Sequence, residues 1–266
     1  MVAVRPFPAT LMDTGPRRSA PIIGAQPLAA CFLVVCASAT GAPPTQSVPL
    51  VGCPADGQMG PMKPPSADRR EVTLSPAVAA QIAYYDGAAG PGVFAPRGWH
   101  CRQWYGSNGS FVIVTPMPPE DRFPASAIPG SGVMFSLRDA GTSGRFEVAE
   151  VSARFFPKVM QSFIQTVRDE KLVPDSDFDV VPFPTDVVKH VTDRLVMFTT
   201  PARLKGFGTG SFLPSDEPIR GLVALSPESE ETVLLQFQMR LPAGKTVVAS
   251  ALMHLEEQCL RKGTTC

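Results

Sequence analysis

The chain has 266 residues, no net formal charge, 44% apolar and 18% charged residues, 29 Pro and 22 Gly. That apolar share sustains a buried core in one large domain or two small ones, and Pro plus Gly, about a fifth of the chain, falls short of a low-complexity composition. A balanced charge argues against a general nucleic-acid coat, which needs concentrated Lys and Arg, and no stretch beyond residue 40 approaches the ~18 apolar residues of a membrane span.

Arg17 and Arg18 precede a mostly apolar run ending in Phe32-Leu33-Val34-Val35, and small residues from Ala37 to Ala42 follow. A positive region, an apolar region and a small-residue cleavage site predict a secretory signal peptide over residues 1–42, cut after Ala39 or Ala42, with Met12 as an alternative start. A buried helix here would have to carry Pro21, Gly24 and Pro27, which helices tolerate poorly. The same segment holds a rival: Leu28-Ala29-Ala30-Cys31 matches a lipobox, and lipidated Cys31 would anchor the protein to a membrane. The expected location is therefore periplasmic or extracellular, with a lipoprotein held through Cys31 as the alternative.

Cleavage removes Cys31 and Cys36 and leaves Cys53, Cys101, Cys259 and Cys266. An even count in an exported chain predicts disulfides, and four cysteines allow three connectivities. Local pairing favours Cys53 with Cys101 and Cys259 with Cys266. Lipidation at Cys31 would leave five cysteines and one without a mate. No Cys-x-x-Cys occurs and the three His are scattered, so no metal site is expected. Cleavage also removes a net +2, leaving the mature chain at about −2.

Residues 43–70, rich in Pro and Gly, show no period and predict an irregular arm; residues 71–266 are expected to form a single α+β domain. Ser75-Pro76 predicts a helix start, with Val78, Ile82 and Tyr85 on one face and a stop at Gly87. Segments 99–105 and 111–115 flank Ser107-Asn108-Gly109, a strong hairpin signal. A short strand at 132–137 follows. Phe146, Ala149, Ala153, Phe156, Met160, Phe163 and Val167 alternate in steps of three and four, which predicts a long helix over 145–170, capped by Thr142 or Ser143 and kinked or broken at Pro157. A loop over 173–184, strands at 194–200, 219–225 and 232–241, and a helix over 245–260 complete an antiparallel sheet of five to six strands with a mid-chain and a C-terminal helix.

The motifs Ala95-Pro96-Arg97-Gly98-Trp99-His100-Cys101 and Tyr105-Gly106-Ser107-Asn108-Gly109-Ser110 resemble those of a group of exported bacterial proteins with no assigned function. The resemblance continues through Gly141-Thr142-Ser143-Gly144-Arg145-Phe146-Glu147-Val148-Ala149 and Phe156-Pro157. It resumes at Thr200-Pro201, Gly206-Phe207-Gly208-Thr209 and Pro218-Ile219-Arg220-Gly221. It implies export and a single domain, and no activity. In element order the chain also resembles the PsbP-like fold of photosystem II extrinsic subunits, a likeness of architecture alone.

Arg97, Trp99, His100, Trp104 and Tyr105 concentrate aromatic and basic side chains within nine residues. They suit either a ligand-stacking surface or a packed hairpin. Alternation sets Trp99, Cys101 and Gln103 on one face and His100, Arg102 and Trp104 on the other, so burial of the first set would leave the second exposed. Gly141-Thr142-Ser143-Gly144-Arg145 before the long helix suits an anion site with Arg145, a plain cap, or a Ser143 nucleophile with His254 or His190 as base. The spacing departs from the nucleophile elbow, Gly-x-Ser-x-Gly. Glu147 and Glu150 form either an acid–base pair or a solvated face. Residues 206–210 lack the Lys-Ser/Thr of a phosphate loop and predict a flexible loop, and Glu228, Glu230 and Glu231 predict an acidic hairpin tip.

The expected function is thus a non-catalytic binding or accessory protein, exported, without a cofactor, whose partner is a small molecule or an envelope protein. The candidate ligand-binding residues are Arg97, His100, Arg102, Trp104, Ser143 and Arg145. The alternatives are a serine-type hydrolase and a lipid-anchored structural envelope protein.

Overall fold

Short runs of β-branched and aromatic residues between Pro, Gly and Asn turns build a fold dominated by strands. A computed structural model describes residues 44–66, 68–119, 127–141, 143–172, 183–226 and 232–266. The predicted signal peptide with its lipobox at Cys31, Thr142, most of the 173–184 loop and the acidic tip at Glu228, Glu230 and Glu231 lie outside the described residues. Within Ala42–Cys266, a single compact unit, two sheets and four α-helices are described, an α+β architecture.

The smaller sheet is the larger departure from expectation. Its order is β3 (Arg69–Thr73), β1 (Thr45–Gly52), β4 (Ile82–Asp86), β5 (Val93–Pro96), with β1 parallel to β4 and antiparallel to β3. The supposed arm at 43–70 therefore supplies two strands of a sheet, and a further short strand, β2 (Ala55–Gly57), to the other. The helix begun by Ser75-Pro76 ends after one turn, α1 (Pro76–Ala79), with Pro at its start and no side-chain cap from Ser75. Ile82, Ala83, Tyr84 and Tyr85 are all buried between strand neighbours. A run buried on both faces has no alternation to separate it from a helix.

The larger sheet has eight strands, not five to six, in the order β2, β6 (His100–Gly106), β7 (Gly109–Thr115), β8 (Gly132–Asp139), β12 (Val233–Arg240), β11 (Ile219–Ser226), β10 (Leu195–Thr200), β9 (Val187–Thr192). All its pairs are antiparallel except β2 with β6. The hairpin forms at the predicted place, but its two turn residues are Ser107 and Asn108, neither with positive φ, between the paired Gly106 and Gly109. Gly109 has φ +128°, and a Cβ there would lie 2.0 Å from the Leu137 carbonyl oxygen, so both backbone and space demand glycine.

One face of this sheet, through Val112, Phe135, Leu222, Leu235 and Phe237, packs on the smaller sheet and on the C-terminal helix α4 (Thr246–Arg261) in the main core. The other face is covered in two patches. Helix α2 (Arg145–Phe155) lays Val148, Val151 and Phe155 over Val196, Phe198, Val223 and Leu234. Loop residues Ile128 and Phe212, joined by an isolated parallel bridge, cover Trp104, Ile113 and Ile219. Buried Arg240 holds that second cover by donating to the carbonyls of Gly130 and Leu213 while lying 5.3 Å from the Phe212 ring centre. The long predicted helix is two helices, since Pro157 ends α2 before α3 (Gln161–Asp169) begins.

Cys53 bonds to Cys101 and Cys259 to Cys266, the local pairing. The first joins the β1–β2 connection to β6. No described helix is long and apolar enough to cross a membrane. Glu256 of α4 is fully buried in the main core, with neither carboxylate oxygen in hydrogen-bond geometry. Burial pushes this carboxyl up to about 8, and the nearby Phe94 N–H and Arg70 guanidinium oppose the shift only in part. Desolvation likewise pushes Tyr84, whose ring lies 4.3 Å beneath Arg70, up to about 12.

Candidate functional site

Between the two covers, the outer face of β6, β7 and β8 stays open as a groove of about 730 Å³. Its floor and walls come from the hairpin (Trp104 to Gly109 and Phe111), from Asp56 to Gln58 at β2, from Arg138 of β8, and from Ser143 and Glu147 at the start of α2. A smaller cavity of about 210 Å³ shares Phe111, Arg138 and Glu147 with it and runs on to Met134, Ser136 and Gln236.

A ladder of charges and rings crosses this face. Parallel pairing of β2 with β6 sets Asp56 opposite Trp104, and the Asp56 carboxylate lies 3.9 Å from the Arg102 guanidinium. Arg102 lies 5.7 Å from the centre of the Trp104 ring, Trp104 stacks on Phe111 with centroids 5.1 Å apart, and Arg138 lies 5.6 Å from the Phe111 centroid. Arg138 is in turn ion-paired with Glu147, which also accepts from the Asn108 amide at 3.5 Å. Each cation in the ladder thus has a carboxylate beside it and a ring face beneath it. Tyr105, half-buried at the groove wall, is fixed by donating its hydroxyl to the Gly60 carbonyl at 2.6 Å.

The structure divides the residues singled out in the sequence. Arg102 and Trp104 belong to the ladder, but Trp104 is only 2% exposed, so the expectation of a fully exposed second face is corrected: Ile128 and Phe212 cover it. Gln103 on the opposite face is completely buried, its side-chain oxygen accepting from Ala89 N–H. His100 is exposed and lines a separate cleft of about 340 Å³ with Trp99 and Pro118. Arg97 donates to the carbonyls of Ile82 and Ala79, a contact that ties the β5–β6 turn to α1 and β4.

Ser143 is exposed at the groove rim, and Gly144 takes the cap position of α2 with no side-chain cap; Thr142 lies outside the described residues. Arg145 turns away from any anion at this helix end, donating to the Ala140 carbonyl and lying 5.4 Å from the Phe163 ring centre. No histidine lines the groove among the described residues. His254 contacts Gln258 on α4, and His190 is exposed on β9. Glu147 and Glu150 do not act together: the first pairs with Arg138, the second with Arg154 one turn away. Residues 206–210 are no free loop. They form a 3-10 turn whose Phe207 and Gly208 N–H groups donate to Asp186 and Thr200, so side chains of the protein itself occupy the donors a phosphate would need.

Asp56, Gln58, Phe111, Asn108 and Arg138 are groove residues that sequence reasoning did not select. The alternation of β8 could have flagged Arg138, which follows Met134 and Ser136 on the face opposite buried Val133 and Phe135. Asp56 carried no signal, because its strand lay inside the supposed arm. Among the described residues no group of three or more His, Cys, Asp or Glu is placed to hold a metal. Comparison of the chain with known protein families, curated proteins and solved structures finds no match.

Proposed function

We propose that this is an exported, non-catalytic binding or accessory protein that holds a small ligand in the groove between the β6–β7 hairpin and α2. The observation that carries the reading is the groove itself. At about 730 Å³ it lies within the ~300–1,000 Å³ of small-molecule sites, with aromatic walls and a few convergent polar groups. Two disulfides support an oxidising compartment, and the signal-peptide pattern and the resemblance to exported bacterial proteins point the same way. An envelope protein seated on the same groove is the second kind of partner it suits. The PsbP-like element order lends no activity to the reading.

The hydrolase alternative has Ser143 in the groove rim but no described base beside it. The lipoprotein alternative rests on Cys31 alone. The test is intact mass spectrometry, native and denaturing, of the protein recovered from the envelope of a host expressing its own N-terminal segment. The expected result is a chain starting at Thr40 or Pro43, four hydrogens light, with extra mass that leaves on denaturation. An acyl mass on Cys31, or a chain retaining residues 1–42 with free thiols, contradicts the exported soluble form. Covalent labelling of Ser143 by a fluorophosphonate contradicts the non-catalytic assignment.

A further inference from the structure

Away from the groove, α4 carries a carboxyl into the main core. Glu256 is completely buried, and neither of its oxygens meets a hydrogen-bond partner among the described residues. Ionising such a group costs far more than burying it neutral. Its neighbours one turn away on the helix, Leu252, Met253, Cys259 and Leu260, are apolar. Any charge that answers Glu256 therefore comes from another element.

Few elements around α4 have one to offer. Strands β1 and β5 and helix α1 contain no ionisable side chain. Arg240 of β12 is turned to the opposite face of the larger sheet, over Phe212. Arg220 of β11 lies beside Thr246 and Ala249, about two helical turns before Glu256. On the helix itself His254 contacts Gln258 and Glu257 pairs with Arg261, while Lys245 at its start donates to Gln81. There remain β3 and β4, which bring Arg70, Tyr84 and Asp86. The Arg70 guanidinium lies 4.3 Å from the centre of the Tyr84 ring, and that ring packs edge-on against Phe94. Glu256 bears on Tyr84, and the Arg70 charge and the Phe94 N–H favour its ionised form.

We propose that Glu256 is a proton-operated switch between α4 and the smaller sheet. Uncharged, it leaves Arg70 on the Tyr84 ring; on losing its proton it draws the Arg70 guanidinium inward and reorders the edge strand β3.

The strand yields, not the helix, because the two are held so differently. Leu252, Leu255 and Leu260 are buried on either side of Glu256, and the Cys259–Cys266 disulfide closes the next turn, with Cys266 Sγ 3.3 Å from the Leu255 carbonyl oxygen. Withdrawing α4 would expose all of these. Strand β3 has five residues, one neighbour in its sheet, β1, and a single fully buried side chain, Val72. Edge elements with so little buried area open at low cost. Arg70 is half-buried there, a long side chain able to trade the ring face for a carboxylate. A charged pair in low dielectric is worth more than the cation–ring contact it replaces. Burial sets the working range, since it pushes Glu256 up to about 8 and Tyr84 up to about 12, so the ring stays neutral while the carboxyl titrates.

The test is an NMR titration, from pH 5 to pH 9, of the disulfide-intact protein labelled with ¹³C at glutamate carboxyls, tyrosine rings and methionine methyls. One carboxyl is expected to titrate near 8, with the Tyr84 ring signals following at the same midpoint and those of Tyr105 unmoved. Glu256→Gln should remove both changes. Arg70→Gln should keep Tyr84 still and move the Glu256 midpoint upward by about 1 in pH, and Arg70→Lys should bring the midpoint back. Arg70→Gln, on an edge strand, keeps the test open should Glu256→Gln fail to fold. The inference is overturned by Glu256 titrating near 4.5, by a carboxyl that never titrates in this range, or by Tyr84 signals that ignore Glu256. An Arg70→Gln midpoint no higher than wild type also overturns it. So does a Met253 methyl that moves to its unfolded position at the Glu256 midpoint, because the helix would then be the part that gives way.

Discussion

The Trp104 indole stacks on the Phe111 ring with centroids 5.1 Å apart and planes 19° from parallel. This contact joins β6 to β7 across the face that carries the groove, and Ile113, Ile128, Phe212 and Ile219 close around it. The indole Nε1–H has no hydrogen-bond partner among the described residues, so Trp104 acts here through its area and shape. Trp104→Ala is expected to cost about 3–5 kcal/mol, as removal of a buried aromatic does. Trp104→Phe should cost well under half of that, because no hydrogen bond is lost with the indole. Urea denaturation of the two variants measures the difference.

Two glycines with positive φ separate backbone strain from crowding. Gly98 (φ +82°) has nothing within 4 Å of an added Cβ, whereas Gly109 (φ +128°) would place one 2.0 Å from the Leu137 carbonyl oxygen. Gly98→Ala is expected to cost about 1–2 kcal/mol, the ordinary cost of a left-handed alanine. Gly109→Ala should cost clearly more and disturb the pairing of β7 with β8. Thermal melts of both variants test the order.

Burial of Glu256 sets a pH dependence with a definite sign. Its carboxyl is pushed from 4.5 up to about 8 in the folded protein. Through that window the unfolded chain has released the proton while the folded chain keeps it, so stability falls as pH rises. The slope from this one group approaches about 1.4 kcal/mol per pH unit and levels off above the folded value. Glu256→Gln should flatten the curve, leaving the variant the more stable protein at pH 9 and close to wild type at pH 5. Denaturant midpoints measured from pH 5 to pH 9 for the two proteins decide it.

The two disulfides differ in the loop they close. Cys53 and Cys101 are 48 residues apart, Cys259 and Cys266 only 7. Loop-closure entropy assigns about 4 kcal/mol to the first and about 2.5 to the second. The double variant Cys53→Ala/Cys101→Ala is therefore expected to unfold at lower denaturant than Cys259→Ala/Cys266→Ala. Equal losses would show that native-state contacts, not loop length, set their value.

Local signals made parts of this fold legible. Asn108-Gly109 marks the hairpin, Pro157 falls too far inside the apolar period to be a helix start and so ends α2, and the cysteine pairing follows from proximity along the chain. The strands β10 to β12 announce themselves by β-branched and aromatic runs between Gly and Pro turns. Misreadings arose where a segment depends on distant partners. Val78, Ile82 and Tyr85 fit a helical spacing until β1, some 34 residues earlier by the pairing of Leu50 with Tyr84, supplies the parallel neighbour that makes Ile82–Asp86 a strand. Pro49 and Gly52 disguised β1 as loop, and the exposed residues of β9 gave it no apolar face to notice. The site was legible only by halves. The aromatic density around Trp104 and Tyr105 was visible, but the Arg138–Glu147 pair depends on how the short β8–α2 connection folds the helix start back beside the strand end, which no residue pattern announces.

The most direct test of the groove as the working part of this protein is a map of backbone amide shifts in a ¹⁵N-labelled sample. It would be titrated with small-molecule fractions extracted from a culture of the expressing host. The account predicts that a binding fraction perturbs Gly57, Gly106, Gly109, Arg138 and Glu147 together, and that Asn108→Gly diminishes the response. Perturbations confined to other surfaces, or no response to any fraction, would contradict it.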